Sequence, residues 1–311
     1  MAAGQTLAPT QAGVPAPAAV RRPLTQPSRL TSFWRYIRRN PSLGWGLLIM
    51  LILVLFMGPT RLFVNMNNAY PLSVMPNQPP SLQYPFGTDS QGRDLLPAMI
   101  EGTFLTLRIG LTAGTIGLGI GMILGFLSAY YRGIIDIVVR WVVDVLLTVP
   151  GLLVLVIIAS VTRRTMTVEA MGLVVASLAW MWPTRTIRAQ VLSLRERPFV
   201  MMAKLSGMSG PEIIVRELMP NLLPYLAASF VGSVSGAILA SIGLEALGLG
   251  PLRQPTLGMT IYWVIYYSAF LRGLWWWGLA PITIIVLLFV GLFLLASGLD
   301  EIANPRTRRA A

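Results

Sequence analysis

The 311 residues contain no cysteine and no histidine, and lysine occurs once, at Lys204. The lack of cysteine removes disulfides, thiolate nucleophiles and thiolate zinc sites, and the lack of histidine removes imidazole ligands and imidazole acid–base catalysis. Because Ala203 precedes the one lysine, there is no Gly-Lys-Ser/Thr loop to cradle a nucleotide phosphate. Acidic residues are scarce too, 12 against 24 basic ones, and none precedes Asp89. These absences leave no visible catalytic or metal-binding chemistry, so the chain is read as a non-enzyme with no metal site.

Apolar surface is what the chain has in quantity. It is 55% hydrophobic and only 12% charged, with a mean hydropathy of +0.68, so lipid is the expected solvent for much of it. A crossing helix needs about 20 apolar residues. Six stretches qualify: Leu43 to Thr60, Ile109 to Tyr131, Ile137 to Thr162, Thr167 to Ile187, Asn221 to Leu244 and Gly273 to Leu299. The expected class is an all-α polytopic membrane protein with about six transmembrane helices over residues 41–311. The net charge of +12 raises nucleic acid as a partner, but the arginines flank apolar runs, where they set topology instead.

With the N-terminus inside, six crossings put most of these arginines on one side, from Arg21 to Arg39, at Arg132 and Arg140, from Arg188 to Arg216 and from Arg306 to Arg309. The other side keeps Arg61, Arg93, Arg163, Arg164, Arg253 and Arg272. A seventh uncharged run, 254–271, would reverse the last group if it crossed. It is therefore placed as an amphipathic or re-entrant part of an outer aromatic element, 251–277, with Tyr262, Trp263, Tyr266, Tyr267 and Trp275 at the interface. Residues 1–40, rich in Pro, Ala, Gln and Thr, read as a cytosolic, largely disordered tail. Glycines at 110, 114, 117, 119, 121 and 125 predict close helix packing. Pro150 and Trp182-Pro183 predict interruptions in the third and fourth spans. Asp144, four residues after Arg140, is expected to pair with it or with another cation.

The longest loop on the arginine-rich side, 195–220, reads as two short helices broken at Gly207 to Gly210, with the second ending before Pro220. Basic and amphipathic, it is shaped to lie in a partner's groove, although headgroups would also accept it.

This loop resembles the coupling loop of bacterial ATP-binding-cassette importer permeases through Ala203, Gly207 and Pro220, with Met201-Met202 where the family has Glu-Ala. Gly87-Thr88-Asp89-Ser90-Gln91-Gly92-Arg93-Asp94 is similar to the signature of the dipeptide, oligopeptide and nickel permeases, specifically their second permease subunit. Asp136, Arg140, Asp144, Pro150, the pair Pro220-Asn221 and Leu247 to Gly250 fit the same family, as does Asn304-Pro305-Arg306. The resemblance implies a type I importer permease fold in a bacterial inner membrane, with both termini cytoplasmic. It also implies a second permease, two cytosolic ATPases that bind ATP and Mg, and an external solute-binding protein. Phe199, Met201, Met202, Ala203, Lys204, Gly207 and Pro220 would then meet an ATPase.

Glu245 stands where the family has serine, and the family's Trp before Gly258 is missing. With Tyr262, Tyr266 and Trp275, Glu245 is expected near the pathway. Peptides are the implied solute and oligosaccharides the alternative, since aromatic faces stack on sugars; nickel lacks soft ligands here. An ion-driven secondary transporter is the rival from another class, but it would need ionisable groups at the bilayer midplane. Asp136, Arg140 and Asp144 read instead as a cluster near the cytosolic surface.

Overall fold

The structure is a computed structural model that describes residues 37, 40–162 and 166–303. The tail reading, Arg163-Arg164 and Asn304-Pro305-Arg306 fall outside the described residues, save Ile37 and Asn40 of the tail. Among the described residues ten α-helices follow one another, besides two short 3-10 turns at Pro59–Leu62 and Met66–Ala69: α1 (Pro41–Met57), α2 (Leu95–Tyr131), α3 (Gly133–Thr148), α4 (Gly151–Thr162), α5 (Val168–Ala179), α6 (Met181–Leu194), α7 (Pro198–Leu205), α8 (Gly210–Ala246), α9 (Leu257–Tyr266) and α10 (Trp275–Ala303).

Four of these, α1, α2, α8 and α10, are long and apolar enough to cross a membrane, and α3 with α4 makes a fifth crossing if counted as one bent span. The third span is thus not one kinked helix. Val149 is extended because the residue before a proline avoids the helical region, and the chain turns by 85° at Pro150. The fourth span is interrupted as Pro183 predicts: with no N–H for the Ala179 carbonyl four residues back, α5 ends at Ala179 and α6 restarts after Trp180 with Pro183 in its first turn. The run 254–271 contains only the ten-residue α9, too short to cross.

Helix directions follow from where glycines let backbones meet. Gly46 abuts Leu294-Leu295 and Gly298 abuts Leu43, so α1 and α10 are antiparallel. Gly110 abuts Ile238 and Gly114 abuts Val234, which sets α2 antiparallel to α8. On another face of α2, Gly117 meets Ala179, Gly121 meets Pro183 and Gly125 meets Ile187, so α5 and α6 run parallel to α2. Two parallel passes require the chain between them to return. It does so: Leu155 and Ala159 of α4 pack with Leu105 and Ile109 near the start of α2 and with Val168 of α5. The path therefore makes six passes, two of them through broken helices.

At 37 residues, α2 is about 55 Å long, roughly 25 Å more than the hydrocarbon of a bilayer. The excess is wrapped. Leu95, Met99 and Ile100 are fully buried beneath the segment 58–94 and the region of α9 and Trp277.

Candidate functional site

The signature residues form a closed knot at the head of α2. Asp89 and Arg93 are both buried; Asp89 Oδ1 accepts the Gln91 and Arg93 N–H groups at 2.8 and 2.9 Å, and Oδ2 accepts Arg93 Nε at 2.5 Å. Thr88 donates its hydroxyl to the Met75 carbonyl and accepts the Gln78 N–H, at 2.7 and 2.8 Å. Gly92 has φ +72°, and a Cβ there would lie 2.6 Å from the Val74 carbonyl oxygen, so glycine is required on both counts. Asp94 caps α2 by accepting the Leu96 N–H; burial raises its carboxyl above the ordinary value while that N–H pulls the other way. These groups satisfy one another except at Arg93 Nη2, which is buried without a hydrogen-bond partner among the described residues. The knot is then tied to the aromatic element, because Trp276 Nε1 donates to the Thr88 carbonyl and Arg272 Nη1 to Ser90 Oγ.

Glu245 is fully buried at the end of α8. Its Oε2 accepts the Thr256 hydroxyl at 2.8 Å, and that hydroxyl oxygen accepts the Met259 N–H at the start of α9. Gly250 and Gly258 press on the Glu245 side chain. The carboxyl is a clamp between α8 and α9. Thr106 of α2 joins it by accepting the Leu257 N–H. Of the aromatic candidates, Tyr266 and Trp275 are exposed, whereas Tyr262 packs its ring on Trp263 and Tyr266.

At the other end of α2, the 195–220 loop is bolted to the helix terminus. Arg195 Nη1 donates to the carbonyls of Ala129 and Tyr130 at 2.9 and 2.6 Å, and Arg132 pairs with Glu196 at 2.6 Å. Within α7 the sequence-predicted residues part company. Val200 and Ala203 face inward, clustered with Val191, Ile213 and Leu218. Met201, Met202, Lys204 and Leu205 are exposed, Phe199 and Met208 half-buried. Gly207, exposed at φ +78°, reverses the chain. The second helix does not stop before Pro220. It runs through a wide π-turn, Ile214–Leu218, into the long part of α8. Pro220 has no N–H for the Arg216 carbonyl, and widening the turn before it makes room for the ring. Asn221 Nδ2 donates to the Glu217 carbonyl at 2.6 Å, which explains the Pro-Asn pair.

Among the described residues Asp144 makes no ion pair with Arg140, and the cation it acts on electrostatically is Arg188 of α6. Arg188 itself binds Asp136 of α3 with two bonds, 2.5 and 2.8 Å, joining residues 52 apart that no local spacing could connect. Asp144, Arg140 and Arg185 make no ion pair among the described residues. Together with Arg188 and Thr184 they line a cavity of ≈ 170 Å³ between α3 and α6. One helical turn further along the same two helices, at Leu147 and Trp182, begins a larger cavity of ≈ 500 Å³. Its lining also takes in α5, α8 with Ser229, Gly232, Ser233 and Gly236, and α10 with Asp300.

Residues 117–309 match the family model described as the binding-protein-dependent transport system inner membrane component. Over 231 residues the chain is 32% identical to the oligopeptide transport system permease protein OppC of Mycobacterium tuberculosis, covering 74% of this chain and 79% of that one. Over 282 residues it is 29% identical to the dipeptide transport system permease protein DppC of Bacillus subtilis, covering 89% and 85%. Among solved structures, an inward-facing conformation of the MetNI methionine ABC transporter shares the fold at a TM-score of 0.54 and 21% identity. That match covers 67% of this chain and 96% of the solved one. The family model spans the passes from the middle of α2 onward and the relatives span most of the chain, so this protein belongs to the binding-protein-dependent transport system inner membrane components, as a non-catalytic ABC-transporter permease related to the oligopeptide and dipeptide permeases.

Proposed function

We propose that this permease forms half of an ATP-driven import path for peptides. The observation that carries the reading is the similarity, over 74% and 89% of the chain, to permeases named for oligopeptides and dipeptides. The remaining half is supplied by a second, homologous permease, energy by two cytosolic ATPases holding ATP and Mg, and solute by an external binding protein. The arginine asymmetry supports an inner-membrane topology with the 195–220 loop and both termini in the cytoplasm. On that placement the exposed side of α7, with Met201, Met202, Lys204 and Leu205, meets an ATPase, flanked by Phe199 and the Gly207 turn, while Ala203 holds α7 to its own permease.

The test is reconstitution of all five subunits in proteoliposomes. ATP-dependent uptake of a labelled peptide, competed by unlabelled peptide and untouched by oligosaccharide, is the expected result. Competition by oligosaccharide alone would replace the solute class, and uptake driven by an ion gradient without ATP would overturn the importer reading.

A further inference from the structure

We infer that Glu245 is a proton-operated latch on the outer side: with its proton on it holds α9 against α8, and with the proton lost it lets α9 and the aromatic element move. The latch is a property of this chain's own packing and does not rest on the peptide reading above.

The site is closed and short of partners. Glu245, Thr256 and Thr260 are all buried. Glu245 Oε2 has the Thr256 hydroxyl, but Oε1 is buried with no hydrogen-bond partner among the described residues. A Cβ on Gly250 would lie 2.6 Å from Glu245 Cγ and one on Gly258 would collide with Oε2, so both glycines close directly on the side chain. No cation compensates for a charge there. On the elements packed around it the titratable groups are Glu101 and Arg108 of α2, Glu169 of α5, Tyr262 and Tyr266 of α9, and Arg253 of the 247–256 connection; α4 carries none. Glu101 pairs with Arg61 and Arg108 with Glu169, and none of these groups bonds Glu245. The amides of Gly258 and Met259 at the start of α9 do favour a charge. A neutral acid leaves one weak group unmatched, whereas an anion leaves a half-bonded charge out of water. The proton is therefore part of the closed packing, and the amides keep its loss within reach.

The released carboxylate has a destination. Behind Gly250 opens a notch of ≈ 800 Å³, lined also by Arg108, Glu169, Arg253 and Gln254. Arg253 is exposed and makes no ion pair among the described residues. Swinging the 250–256 segment away from α8 brings Glu245 to water and to that guanidinium. The place of the latch in the chain gives it consequence. Helix α8 runs unbroken from the 195–220 loop to Glu245, and α9 leads through Arg272 and Trp276 to the signature knot. Latched, the end of α8 and the outer element move together; unlatched, they move apart.

Because the chain has no cysteine, single-cysteine variants have a clean background. In the complete importer in vesicles, the rate at which a maleimide labels Thr260→Cys, buried in α9, is divided by the rate at the exposed Leu271→Cys, which corrects for titration of the thiol. The closed latch binds one proton more than the open one, and a carboxyl in water titrates near pH 4.3. Above that value each pH unit should therefore raise the ratio up to about tenfold, until the latch stands open. In Glu245→Gln, an uncharged copy of the acid, the ratio should stay low and flat with pH. Glu245→Ser, the residue the resemblance places here, should also be flat, and it serves if the glutamine variant does not assemble. Solute uptake by the wild type should vary over the same pH range and lose that variation in either variant. A ratio that is flat in the wild-type background, that climbs equally in the variants, or that falls as pH rises overturns the latch. Uptake indifferent to pH where the ratio climbs overturns its part in transport, whereas uptake that varies with pH but is not of peptides overturns the peptide reading and leaves the latch standing.

Discussion

At the scale of single residues, the signature segment is a folding device whose polar groups face each other. Asp89→Asn leaves the Arg93 guanidinium buried without its counter-charge, a loss of about 3–5 kcal/mol. Thermal melting and protease nicking of the 58–94 segment should both register it, while the protein that survives keeps wild-type solute preference. A changed preference would make the signature a solute contact after all. Ala203 separates from its neighbours in the same way. Being buried against Ile213 and Val200, it should fail as a tryptophan through loss of folded protein. Met201→Ser with Met202→Ser should insert and fold normally yet retain much less ATPase on copurification. Full retention by that double variant would remove α7's exposed face from the contact.

Among the elements, α2 shows how much packing the sequence spelled out. Its glycines promised one close neighbour and the structure supplies two, α8 on one side and α5–α6 on the other. Gly114→Leu drives even its first carbon to 2.8 Å from Val234 Cγ2 and 2.9 Å from the Val234 backbone, an overpacking of at least about 1–3 kcal/mol that melting of the purified protein should show. At Gly119 an added Cβ would meet nothing within 4 Å, so Gly119→Ala should leave the melting point near wild type. Composition and hydropathy were enough for the helices that are straight and continuous, because length and apolarity are local properties. The broken passes were harder to read. Pro150 announced a kink but not an 85° turn, and the π-turn before Pro220 left the second loop helix looking as if it should stop. Partners separated by 52 residues in the Asp136–Arg188 pair, or by 151 in the Leu257–Thr106 bond, carry no short-range signal at all. Glu245 was visible as a departure from pattern, yet only the fold discloses that Thr256 and two glycines close around it.

For the whole molecule, six passes with a knot at one end and a bolted loop at the other make a definite topological prediction. Single cysteines at Leu82 and Leu271, both fully open, should react with an impermeant reagent added outside cells, and one at Ser206 should react only after permeabilisation. Labelling of Leu271→Cys from the cytosolic side alone would reverse the last crossings. The length of α2 then acquires a mechanical meaning. Its first turn is locked to the signature knot and its last turn to Arg195, so one stiff rod of about 55 Å joins the two surfaces with no joint between them. If the loop end pivots by about 5°, the far end sweeps an arc of about 5 Å, more than one hydrogen-bond length, without any side chain along the way changing rotamer. News of an event in the cytoplasm can thus arrive outside as a displacement of geometry and needs no relay of intermediate contacts.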